Sequence, residues 1–149
     1  MSSSKVFLRA LILILTLPCI IVSLVRPIIA EDQERQKLIK CDVHHTSCTD
    51  YVSNTKITLD IRPKPVKAMK ALTFVLEVSG NQPTSKPYID LGMPGMRMGP
   101  NRVVLEAVGE GIYEGKGIIV RCPSGRKTWR AEVTLPEVGK VEFIFDVIY

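Results

Sequence analysis

The strongest constraint on the fold is a period-two alternation of apolar and polar residues that recurs along most of the chain. Ile57, Leu59 and Ile61 alternate in KITLDIRP, Leu72, Phe74, Leu76 and Val78 in ALTFVLEVSG, and Val103, Leu105 and Ala107 in RVVLEAV. The same spacing carries Trp129, Ala131, Val133 and Leu135 in TWRAEVTLP, then Val141, Phe143, Phe145 and Val147 in KVEFIFDVIY. KPYIDLGM and GIYEGKGIIVRC are two further candidates. Short alternating runs broken at Gly, Pro and Asn are the pattern of half-buried strands. About seven such strands predict an all-β fold, an immunoglobulin-like antiparallel β-sandwich over residues 56–149. A small closed barrel satisfies the same strand count. Tyr113 and Trp129 are expected in the core, and the order of cysteines and tryptophan is not that of an antibody domain.

Ahead of the alternating region, residues 31–55 read as a charged lead, EDQERQKLIK, and a polar Cys/His loop, CDVHHTSCTDYVSN. Residues 1–30 read as a targeting segment. Lys5 and Arg9 precede the uncharged run ALILILTLPCIIVSLV, and Arg26 interrupts it before PIIA. That run is on the short side for a spanning helix, which needs about 17–25 residues. Cleavage after Ala30 is one expectation, with Ile28 a poor small residue for it. A retained anchor over residues 6–29 is the other. Pro18 stands where a lipoprotein signal wants a small residue before Cys19. Either way the remaining chain is expected outside the cytoplasmic membrane, in a periplasmic or extracytoplasmic space.

The formal charge of +5 belongs largely to that segment, which holds Lys5, Arg9 and Arg26 and no acid. Beyond it, 17 basic residues face 15 acidic ones. The basic residues are scattered along the sequence, and no nucleic-acid partner is expected. Three cysteines follow the segment, Cys41, Cys48 and Cys122. In an oxidising compartment an odd number means one disulfide and a leftover thiol, or no disulfide framework. A Cys41–Cys48 bridge closing a small loop is preferred, with pairing of Cys122 to either left open.

Enzymatic signals are thin, and no catalysis is expected. GIYEGKG has three residues where a phosphate loop needs four, and lacks the closing Ser or Thr. GEGIYEG fails the dinucleotide fingerprint for want of the right spacing and a following helix. Both read as turn glycines between strands. Ser124 and Cys122 are potential nucleophiles, but the only histidines, His44 and His45, lie in a distant loop.

The unusual stretch is LGMPGMRMG, which packs Met93, Met96 and Met98 among glycines and prolines. Thioether sulfur is a soft, neutral donor that suits Cu(I). Pro94-Gly95 can reverse the chain so that Met93 and Met96 converge, with Met98 joining from the exit side. Methionines filling an irregular gap, or forming an adaptable contact surface, explain the spacing equally well. His44 and His45 between Cys41 and Cys48 form a second ligand cluster, as nitrogen ligands or a separate Cu(II) site. The cysteine separation is too long for a zinc-ribbon pair. Cys41, Cys48 and Cys122 count as thiolate ligands only if reduced.

Three short motifs carry a family likeness: Met93-Pro94-Gly95-Met96, Gly111-Ile112-Tyr113-Glu114-Gly115, and Gly125 to Trp129 with Ala131 and Val133. Over residues 57–147 the chain resembles the exported FixH-like and YtkA-like domains. That resemblance implies an immunoglobulin-like sandwich, copper as cargo, and a copper-dependent membrane oxidase or another copper chaperone as partner. The Cys/His loop and Cys122 depart from the pattern. The expected function is therefore a Cu(I) chaperone or carrier, possible haem–copper oxidase support included. The rival is a metal-free interaction module whose Met loop contacts a membrane-associated partner, with a thiol–disulfide protein using Cys41 and Cys48 a distant third.

Overall fold

A computed structural model describes residues 37–149 of the chain. The expected signal peptide or anchor, and most of the charged lead, lie outside these described residues.

The described chain is all-β, with nine strands in two antiparallel sheets. They are β1 (Cys48–Val52), β2 (Thr55–Arg62), β3 (Ala71–Ser79), β4 (Tyr88–Gly92), β5 (Arg102–Val104), β6 (Glu106–Gly109), β7 (Ile112–Ile118), β8 (Thr128–Leu135) and β9 (Gly139–Asp146). One sheet has the order β1-β2-β3-β7-β6 and the other β5-β4-β8-β9. Their inner faces share one apolar core, in which Ile57, Leu59, Phe74 and Leu76 meet Ile89, Trp129, Phe143 and Phe145. All of these but Ile89 are residues picked out by alternation: successive side chains on a strand point to opposite faces, so a run with one buried face reads as period two. Among the described residues the buried hydrophobic ones fall between Val43 and Val147, and residues 39–149 form a compact unit.

Three expectations need correcting. The strand count is nine, because Cys48–Val52 is an edge strand that pairs with β2 through Cys48↔Leu59 and Val52↔Thr55. Its polar composition hid it: an edge strand bonded on one side keeps much of its surface in water. The sandwich therefore begins ahead of residue 56. RVVLEAV is also two strands, since β5 pairs with β4 and β6 with β7. The chain changes sheets at Leu105, whose amide donates to Pro87 O at 2.9 Å.

This sheet change explains two of the glycines. Gly111 turns the chain at a φ of 66°, but Gly115 and Gly117 lie within β7 and not at turns. A Cβ at Gly115 would sit 2.6 Å from Val104 O, and one at Gly117 would sit 2.5 Å from Val103 Cγ2. The crossing chain needs that clearance.

Candidate functional site

Strand register gathers the residues of chemical interest at one end of the sandwich. In the first sheet, Arg62↔Thr73 and Ala71↔Ile118 place the exit of β2, the entry of β3 and the exit of β7 together. The start of β1 joins them. In the second sheet, Gly92↔Arg130 and Thr128↔Asp146 bring together the exits of β4 and β9 and the entry of β8. Residues 66–69 tie these two edges together: Ala68 N donates to Ile148 O and Met69 N to Ile119 O, each at 2.8 Å. The Cys/His loop, the Met loop and the Cys122 loop all open at this end.

Within the Met loop, Met93 and Met96 form an isolated antiparallel bridge, and Met96 N donates to Met93 O at 3.2 Å. Gly95 has a φ of 69°, which fits the second central position of a type II turn with Pro94 before it. Directly opposed residues of an antiparallel pair point to the same face, so the two thioethers share a side of the turn. That side is inward. Met93 is 1% exposed and belongs to the core, while Met96 and Met98 are half-buried and pack against it. A Cβ at Gly92 would lie 3.5 Å from Arg130 Nη2, so a guanidinium covers the backbone next to Met93.

Cys41 and Cys48 form a disulfide with Cα atoms 5.7 Å apart, the pairing preferred from sequence. In that state neither supplies a thiolate. The loop they close is pinned by Lys64, whose Nζ donates to Val43 O at 2.7 Å and Thr46 O at 3.2 Å while pairing with Asp60 at 2.9 Å. Sequence reasoning missed this clamp, because a lysine between two prolines carries no sign of a partner so far along the chain.

His44 and His45 stack edge to face with centroids 4.5 Å apart. His45 is exposed and its Nδ1 contacts Asp42 Oδ2 at 2.7 Å. His44 is buried, and its Nδ1 has no hydrogen-bond partner. Burial first, and then His45, hold its pKa below the usual 6.5, against upward pulls from Asp42 and Asp146. Among the described residues, no three His, Cys, Asp or Glu side chains gather as a metal-binding group.

Cys122 is a free, buried cysteine whose Sγ lies 2.9 Å from Ser124 Oγ. That hydrogen bond, helped by backbone bonds from Ser124 and Arg126, lowers its pKa. Beside it, Tyr149 OH accepts from Cys122 N at 3.3 Å and Trp129 Nε1 at 3.4 Å, and donates to Arg126 O.

The basic residues scattered in sequence are not scattered in space. The loop segments 62–70, 93–101 and 119–127 carry four, one and three Lys or Arg residues and no acid. At the opposite end, segments 80–87, 110–111 and 136–138 hold Lys86 against Glu110 and Glu137. The Cys/His loop at the first end adds one acid, Asp42, so the cationic excess there comes from the other three loops.

No protein-family model, curated protein or solved structure matches this chain. The described residues contain no helix long and apolar enough to cross a membrane.

Proposed function

We propose that this chain is an exported, non-enzymatic, immunoglobulin-like sandwich that binds Cu(I) at its Met loop and passes it on. A copper-dependent membrane oxidase or another copper chaperone is the proposed recipient. The observation that carries the reading is the Met93–Met96 bridge, which aims two thioethers to one side of a tight turn. Met98 follows against the same core. Neutral sulfur donors fit a soft monovalent ion and need not lose a proton to bind it. Met96 and Met98 are the accessible ligands, and Met93 is the ligand nearest the core. His44 and His45 would serve as auxiliary nitrogen donors at the same end. Cys122 could add a thiolate only by giving up its Ser124 contact, and Cys41 and Cys48 only after reduction.

Competition against a chromophoric Cu(I) chelator under mild reduction tests this. The protein should retain copper, and Met93→Leu/Met96→Leu/Met98→Leu should release it. No retained copper, or equal retention by the variant, rejects the Met site.

A metal-free contact module is the second reading, favoured by the full burial of Met93 and the Arg130 cation over Gly92. Under it the methionines are packing and adaptable surface. Leucine keeps the apolar bulk, so partner capture that survives the triple variant supports this reading.

A further inference from the structure

The loop end of the sandwich has an outer surface that metal ligation by the inward-facing methionines does not use. Six of its cations, Lys67, Lys70, Arg97, Arg121, Arg126 and Lys127, have no ion-pair partner among the described residues, whereas Arg62 and Lys64 are tied to Asp60. Apolar side chains stand among them. Met69, Ile118, Val120 and Ile148 are all exposed, and Met69 is 63% so. Backbone bonding makes them neighbours, since Met69 bonds to Ile119 and Ala68 to Ile148. Met69 also holds a φ of 58°, an uncommon conformation for a residue with a side chain, and does so while presenting that side chain to water. Strain held at an exposed apolar residue points to a contact surface.

The geometry points to this end as a docking surface for an anionic phospholipid bilayer. The cations sit on three separate loops, which suits a diffuse layer of headgroup charge better than one acidic side chain. Lys and Arg stems can lie along the interface with their charges at headgroup level, while Met69, Ile118 and Val120 enter the acyl boundary. Three acid-free loops on this side, which outweigh Asp42 of the Cys/His loop, and acids at the opposite end would orient the approach electrostatically. The described chain also enters the sandwich here, at Cys41, downstream of the apolar run Ala10–Val25. The proposal does not depend on copper binding.

Residues 37–149, which contain the compact unit 39–149, should cosediment with phosphatidylcholine vesicles doped with phosphatidylglycerol, less so at high salt, and not with phosphatidylcholine alone. Each cation near an anionic bilayer contributes roughly fivefold in binding. Lys67→Gln/Lys70→Gln/Lys127→Gln should therefore weaken binding on the order of 100-fold. Glu110→Gln/Glu137→Gln, at the far end, should not weaken it. Ile118→Ser/Val120→Ser, with every charge kept, should weaken it several-fold, and cooperative unfolding of each variant confirms that it is folded. Failure to bind doped vesicles at low salt overturns the proposal. So does equal binding to soluble polyglutamate with no effect of the apolar variant, which would make the partner an acidic protein.

Discussion

Gly117 and Val103 come from strands of different sheets, yet a single added methyl on the glycine would stand 2.5 Å from Val103 Cγ2. The contact marks where the chain crosses from one sheet to the other. A GKG tract that looks like a turn, or like half of a phosphate loop, is instead the relief cut into β7 for that crossing.

Replacing either glycine should therefore destabilise the fold. Gly117→Ala should cost about 1–3 kcal/mol, the usual range for forced overpacking. Gly115→Ala should cost at least as much, because backbone Val104 O is among the atoms struck. Gly99→Ala meets nothing within 4 Å and should be near neutral. Urea unfolding of the three variants checks the order. Recovery of Gly117→Ala by Val103→Ala would locate the clash.

The alternating strands were legible because one buried face imposes its period directly on the sequence. Leu72 to Val78 and Trp129 to Leu135 are such cases, and each predicted inward residue there is buried. Cys48–Val52 was not legible, since a polar edge strand has little burial to display. Nor was the break at Leu105, because Val103 and Leu105 keep the period-two burial although the chain leaves β5 for β6 of the other sheet at Leu105. The Met turn could be read from Pro94-Gly95, but not the burial of Met93. The cationic end was hidden altogether: three loops far apart in sequence meet only through strand register.

His44 should make stability depend on pH near neutrality. Its folded pKa is lowered, so the unfolded chain takes up a proton first as pH falls. Stability is then full above the unfolded value of about 6.5 and declines below it, towards the lowered folded value. Denaturation midpoints measured from pH 7.5 to 5 should fall. His44→Gln should flatten the dependence. Asp60, held below its usual pKa by Lys64 and Arg62 despite partial burial, acts at lower pH. Its stabilisation is present above about 3.8 and lost below that value.

Opening the Cys41–Cys48 loop should cost stability through the unfolded chain. For a closed loop of this size, chain entropy gives about 2.5 kcal/mol at 25 °C. Cys41→Ser/Cys48→Ala should lower the unfolding free energy by roughly that amount, and reductant should have no further effect on the variant.

Tyr149 closes the far end of the chain over Trp129. Tyr149→Phe keeps the ring but leaves the Trp129 indole N–H and the Cys122 amide without this acceptor. An unsatisfied buried donor costs about 1–3 kcal/mol. A lower thermal midpoint together with altered Trp129 fluorescence is the expected result. Since Trp129 is the only tryptophan, the signal reports this site alone.

Thioether ligation at the Met turn is read at the metal itself by X-ray absorption spectroscopy of the Cu(I)-loaded protein. The predicted spectrum has a copper shell dominated by sulfur, which loses one scatterer in Met98→Leu and collapses in the triple leucine variant. A shell of nitrogen and oxygen only, or a sulfur shell unchanged by the triple variant, would contradict it.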